Sequence, residues 1–488
     1  MMNYTFLPDF KTFKATALIP FKWRGGSLKK LLFTFALLLH FISYGQNLEA
    51  INMHYVSLEK GEANPLKEIP FEETSEKIRW AHLIEVYPDI EFQTIEGMGG
   101  AFNEIGGEAL LSLEEAQQKE VMENLFSVEK AGFTFCRTAI GASDFGIDAY
   151  SYAEKPDDYK MKHFSIDRDK KYVIPYIQGA LAVNPELLIF GSPWSPPGWM
   201  KENNSMTGLT DVSNYFRDEE RVYQAYANYF TKYVKAYEAN GIAIDRICVQ
   251  NENDANTKYP SCTMPAPQML KLAKGYILPT FKKEGVGTKV YAGTFRTAEQ
   301  LDLIEYLTLE GNEALAGVGL QYTSSFIITD AVKMRPDLKM FHTEGHCYNG
   351  KNSVEQANHR LEEAASYINS GLTNFCYWNM ILNETTKSGW DWAQNSLINI
   401  DRTNKTVQYN PDYNAMYILG HFIKPGDVRI ASVSKRPMIT VKSPDGTIKI
   451  LIQNTDETDS AYQLNLSGKS KRFIIPSKGL TAIVINKS

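Results

Sequence analysis

The strongest constraint on the fold is a count. Eight short apolar segments, "FQTIEGMGG", "GFTFCRTAIG", "ELLIFGSPW", "RICVQNE", "TKVYAG", "AGVGLQYTS", "LKMFHTEG" and "TNFCYWNM", follow one another along the chain, each ended by Gly, Pro, Asn or Ser, and read as strands. Helix-patterned stretches lie between them. "EERVYQAYANYFTKYVKAYEANG" repeats apolar residues every three or four positions and closes on Gly, and "SVEQANHRLEEAASYINSG" opens on a Ser placed to cap it. Eight βα units predict an α/β fold, a (β/α)8 TIM barrel. The alternative is an open doubly wound sheet, and "GMGGAF" is too short a match to GxGxxG to supply the phosphate loop that such a sheet carries after its first strand.

The flanks read differently. From about Asp427, "VRIASVS", "MITVKSPDGTIKILIQN", "AYQLNL" and "KRFIIPSKGLTAIVIN" alternate apolar and polar residues, and Asp445-Gly446 marks a hairpin. Strand-like "NMHYVSLEK" and "HLIEVYP" precede the barrel, so an attached antiparallel β-sandwich drawn from both chain ends is expected. The expected divisions are a signal peptide with a long basic region over 1–45, the first sandwich strands over 46–90, the catalytic barrel over 91–424 and the remaining sandwich strands over 425–488.

The signal reading rests on Lys29 and Lys30, an apolar run from Leu31 to about Ile42, and small or polar residues through Gly45 and Gln46. The run is short for a membrane span. About thirty residues precede it, which places the expected translation start downstream of Met1. No Cys follows the run to take a lipid, and the expectation is an exported protein with no stable membrane insertion of the mature chain. The cysteines Cys136, Cys248, Cys262, Cys347 and Cys376 are odd in number and lack CxxC spacing, so neither a zinc site nor a full disulfide framework is indicated. Cys262 and Cys347 read as loop thiols and the others as core. A net charge of −6, with no long basic run past the amino terminus, excludes nucleic acid and anionic membrane surfaces as evident partners and favours a neutral one.

Chemistry in a barrel belongs at the carboxyl ends of its strands. Glu252 in "VQNEN" follows the fourth expected strand and Glu344 in "HTEG" the seventh, so the two carboxylates can meet across part of the mouth. Glycosidic hydrolysis needs such a pair, one protonated to release the leaving oxygen and one ionised to trap the oxocarbenium-like centre. Asn251 and Gln250 add amides for sugar hydroxyls, and "GSPWSPPGWMKENN" presents Trp194 and Trp199 on a proline-stiffened loop as flat faces for a pyranose. Each has a plainer alternative: a solvated strand end for a Glu, packing for Trp199.

"FQTIEGMGGAFNE", "ASDFGIDAYSYAEKPDDY", "SPWSPPGWMK", "VQNEN", "HTEG" and "YWNM" together resemble glycoside hydrolase family 30, in order and approximate spacing, from about Asn47 to the carboxyl terminus. The resemblance implies a barrel with a β-sandwich from both ends and double displacement with retention, Glu252 as acid/base and Glu344 as nucleophile. It further implies that Arg137 sits by the nucleophile as an ion-pair partner, that Asp144 holds non-reducing-end hydroxyls, and that Trp194, Asn251 and Trp378 touch the same sugar. Two departures stand out. Asn253 occupies a usual Pro position, and Gln321-Tyr322-Thr323 replaces a common His-Trp-Tyr run, so the usual hydroxyl beside the nucleophile is displaced, with Tyr322 or Tyr348 as substitutes. Trp390 and Trp392 after the eighth strand are further candidates, for the wall receiving the leaving group. The expected function is hydrolysis of β-glucosidic bonds, in β-1,6-glucan or its oligosaccharides, with glucosylceramide as the alternative substrate and a non-catalytic carbohydrate-binding protein as the alternative of another class. No cofactor or metal is expected.

Overall fold

The computed structural model describes residues 50–296 and 301–487, so the expected signal peptide lies outside the described residues. Eight parallel strands form the expected ring: Gly97–Phe102, Phe135–Ala139, Leu188–Ser192, Arg246–Cys248, Lys289–Phe295, Gly317–Gln321, Lys339–Glu344 and Asn374–Asn379, each beside its sequence neighbour. We number them first to eighth. The seventh and eighth are joined mainly by side chains. His342 N donates to Asn374 Oδ1 (2.8 Å), Asn374 Nδ2 donates to His342 O (2.8 Å), and Cys376 N donates to His342 Nδ1 (3.1 Å). Gly345 N then donates to Cys376 O at 2.8 Å. Burial holds the His342 imidazole neutral, its pKa lowered to about 3, which suits a ring that must accept from an amide.

One end of the ring is plugged. Phe135, Phe190, Cys248, Tyr291, Phe341 and Cys376 pack as a separate inner cluster, and Arg246 lies over the rings of Phe135, Tyr291 and Phe341 at 5.0–5.2 Å while its fork meets Glu96 at 2.8 and 3.0 Å. A packed, ion-paired floor leaves the carboxyl ends as the chemical face.

The first expected strand straddles two elements. "FQT" ends the twelve-residue strand Leu83–Thr94, which belongs to another sheet, and the barrel strand begins at Gly97. That second sheet has nine strands, mostly antiparallel, with one parallel pair between Leu83–Thr94 and Ser460–Leu466. Ile51–Ser57 pairs along its whole length with Gly479–Ile485, so both chain ends build it, as expected. Ile448, Ile450 and Ile452 join residues from strands throughout the sheet in a core of its own, which requires the sheet to fold over on itself. Leu451, on the opposite face, packs with the barrel, the alternation a two-sided strand imposes. Gly446 makes the expected hairpin with φ +90°, a conformation that favours glycine.

The helix Glu220–Glu238 forms as patterned, whereas residues 353–371 split into Val354–Ala357 and Arg360–Ile368. At the break, the Asn358 carbonyl takes Gln453 Nε2 at 2.8 Å, and Ser353 caps the first piece. A three-stranded sheet, Ile381–Asn383, Ile398–Asp401 and Thr406–Tyr409, follows the eighth barrel strand and was not anticipated. All five cysteines are buried and free, including Cys262 and Cys347.

Candidate active site

Glu344 is the last residue of the seventh strand and buried. Arg137, in the middle of the second strand, reaches it across the barrel: Nη1 donates to Glu344 Oε2 at 2.6 Å and to Thr343 O at 3.2 Å. The rest of that guanidinium is fixed by Ser192 Oγ (3.1 and 2.8 Å) and Asn251 Oδ1 (2.7 Å). The other oxygen of Glu344 accepts from the Tyr322 hydroxyl at 2.6 Å. Tyr322 is therefore the hydroxyl that the altered run after the sixth strand supplies. It stands one position earlier than the usual Tyr, and its left-handed backbone, φ +51°, redirects the side chain. Tyr348 is partly exposed, packed near His346.

Glu252 lies four residues beyond the fourth strand, buried, with φ +42°, and its amide is held by Thr294 O at 3.0 Å. Positive φ at a non-glycine residue is the kind of strain that persists where function requires it. Burial first, and then the charge of Glu344, push its pKa up to about 7, opposed by Arg296 and a hydrogen bond from Gln321. Its Oε2 accepts from Arg296 Nη1 at 3.2 Å, while Arg296 Nε is tied to Asp254 at 2.8 Å. The two glutamates thus differ in kind: one carries a buried cation and a hydroxyl, the other holds its proton to near neutrality.

Gln321 measures their separation. Thr343 Oγ1 donates to its Oε1 at 2.8 Å, which turns the NH2 toward the carboxylates. That nitrogen lies 3.3 Å from Glu252 Oε1 and 3.4 Å from Glu344 Oε2. The two oxygens are thus at most about 7 Å apart, and about 6 Å if each bond follows one of the diverging N–H directions, near the spacing of an attacking carboxylate and its acid.

Around this pair, Asn251 Oδ1 accepts from Arg137, from Thr294 Oγ1 at 3.0 Å and from Gln321 at 3.3 Å, leaving its NH2 for a substrate hydroxyl. Asp144 is buried, with Oδ1 lacking any hydrogen-bond partner. Burial and the charges of Glu344 and Glu252 push its pKa well upward. Trp378 is fully buried with an unpartnered indole N–H. Its ring stacks on Trp194 at 4.8 Å, and Arg137 lies 4.4 Å from the Trp194 ring, so these two tryptophans brace the Arg137–Glu344 pair. Buried polar atoms without a protein partner are a ready site for hydroxyls.

Trp199 lies apart from this network: its indole N–H donates to Ala153 O at 2.8 Å and its ring meets Tyr159 edge-on. Trp390 is half-buried against the core, and Trp392 is 38% exposed. Reasoning from sequence missed Arg296, Gln321 as the bridging amide, and Tyr259, whose phenol feels the charges of Asp144, Glu252 and Glu344. Gln321 was visible only as the first residue of the altered run at the end of the sixth strand; Arg296, one residue past the fifth strand, and Tyr259 belong to no recognisable motif. Among the described residues no cluster of three or more His, Cys, Asp or Glu is placed to hold a metal ion.

Residues 95–290 match the profile of the glycosyl hydrolase family 30 TIM-barrel domain. A putative glucosylceramidase 3 of Caenorhabditis elegans is 29% identical over 374 residues, 72% of this chain and 70% of its own. An endo-1,6-beta-D-glucanase of Neurospora crassa is 26% identical over 398 residues, 77% of this chain and 82% of its own. The crystal structure of SrfJ from Salmonella typhimurium shares the fold, with a TM-score of 0.81 and 23% identity over 90% of this chain and all of that one.

Proposed function

The chain belongs to glycoside hydrolase family 30, and we propose from that premise that it is an exported retaining β-glycosidase that hydrolyses β-1,6-linked glucan or its oligosaccharides. The observation that carries the reaction is the contrast between two carboxylates bridged by Gln321. Glu344, held by Arg137 and Tyr322, attacks the anomeric carbon while Glu252 gives its proton to the departing oxygen, and a glycosyl ester forms on Glu344. Glu252, now a carboxylate, takes a proton from water as the water oxygen attacks the same carbon and releases Glu344. Asn251, Asp144 and the Trp378 indole hold the hydroxyls of the sugar in place during both steps.

A relative named as an endo-1,6-glucanase supports the glucan assignment. A second reading, hydrolysis of glucosylceramide, is supported by the relatives named as glucosylceramidases. Export rests on the pattern over residues 29–46; no described helix is long and apolar enough to cross a membrane. The test is purified wild type and Glu344→Ala assayed against β-1,6-glucan, β-1,3-glucan, xylan, β-galactan and glucosylceramide. The variant should remain folded and lose several orders of magnitude in turnover on whichever substrate the wild type prefers. Near-parental activity would refute the nucleophile, and preference for xylan or galactan would refute the glucoside.

A further inference from the structure

The loops around the mouth are tied into a circuit on one flank. The third- and fourth-strand loops are zipped together, Gly208 N donating to Thr257 O at 2.7 Å and Thr207 pairing with Pro260. Trp199 pins the second-strand loop to the third through its bond to Ala153. Residues 386–394 form a hairpin closed by Lys387 pairing with Ala393 and by Ser388 N donating to Trp392 O at 3.0 Å. That hairpin is seated on the second-strand loop: Gly389 N donates to Gly146 O at 3.0 Å, and a Cβ on Gly389 would lie 1.8 Å from Ile147 O. The Tyr259 and Trp392 rings then meet at 6.2 Å with 46° between their planes, an ordinary aromatic pairing distance. This contact joins loops of the fourth and eighth strands, which stand opposite each other in the ring.

Asp144 lies within the circuit, two residues before Gly146. A sugar with its anomeric carbon between Glu252 and Glu344 has its leaving group at that carbon alone. A hydroxyl of that sugar that reaches the unpartnered Oδ1 of Asp144 therefore belongs to the side that does not leave. We propose that Tyr259 and Trp392 clasp across the mouth and close that side to a single glycosyl unit, so that the enzyme removes terminal residues from the non-reducing end of its glucosides instead of cutting within a chain. The inference rests on the glucosidase reading above and adds its mode of action.

The experiment uses the full chain and gentiotetraose, laminaritetraose and cellotetraose, each labelled fluorescently at the reducing end, with early products separated by chromatography. On whichever is cleaved, the wild type should release glucose and labelled trisaccharide first. Trp392→Ala should raise the ratio of disaccharide to glucose at least tenfold, Tyr259→Ala should do the same from the other side of the contact, and Trp392→Phe should restore the parental ratio. Early disaccharides from the wild type, or a ratio unmoved in both alanine variants, would overturn the clasp while leaving the glucosidase intact. A wild type that cleaves neither these nor p-nitrophenyl β-glucoside would bring down the glucosidase reading and the clasp with it.

Discussion

Replacing Glu344 by Gln removes one charge from beside Glu252 and keeps the shape of the side chain. With the oxygens bridged by Gln321 at most about 7 Å apart and an effective dielectric of about 20, the lost repulsion is worth at least about 2.4 kcal/mol, close to two pKa units. Burial, the larger cause of the upward shift, remains. Glu252, held up to about 7 in the native protein, should therefore fall by one to two units in Glu344→Gln. Titration of the Glu252 side-chain carboxyl by 13C NMR in both proteins measures this directly. In the wild type, the same group should give kcat/KM an alkaline limb near pH 7, because activity requires the protonated acid and is lost as pH rises through its pKa. Esterifying Glu344 in the proposed first half-reaction would abolish the same charge, so that Glu252 sheds its proton more readily when it must act as a base. A Glu252 carboxyl that still titrates near 7 in Glu344→Gln would show that burial alone sets it and would remove this coupling.

Other changes probe the remaining roles. Glu252→Ala should lose most activity on natural glycosides while sparing aryl glucosides with good leaving groups in their first step, and equal damage to both would count against an acid role. Tyr322→Phe deletes the hydroxyl 2.6 Å from Glu344; a charge-assisted bond of this kind predicts a loss of about 10- to 100-fold in kcat/KM with little change in Tm, and parental kinetics would make the contact incidental. Treatment with a chelator should leave hydrolysis untouched, because each proton and electron pair has a carboxylate to carry it; loss of activity restored by a divalent ion would require a different mechanism.

The barrel was legible because each strand is a short apolar run with a breaker at its end, and because a closed parallel ring needs no long-range information beyond the count. Where two strands abut without a breaker, as at Thr94 and Gly97, the pattern ran them together. Glu344 was legible as a carboxylate at a strand end, and Glu252 as one in the loop that follows a strand. Arg296 and Tyr259 were not, since loop paths depend on backbone contacts such as Gly208 to Thr257 that leave no periodicity. Trp199 shows the converse: a tryptophan beside prolines suits sugar stacking and loop bracing equally, and the Ala153 carbonyl engages its N–H for bracing. Tyr322 was one of two hydroxyls that the sequence offered, and choosing it over Tyr348 required a dihedral angle, which no residue pattern encodes for a non-glycine residue.

The pairing of Ile51–Ser57 with Gly479–Ile485 also sets a schedule for biosynthesis. The main partner of Ile51–Ser57 is synthesised more than 400 residues later, so at ordinary elongation rates the earlier strand waits roughly twenty seconds or more with an open edge. Barrel units can begin to assemble during that interval, but the second sheet cannot close. A chain that stalls or is clipped before Gly479–Ile485 would carry both Glu252 and Glu344 on a scaffold with an unpaired strand edge, ready to associate with its neighbours.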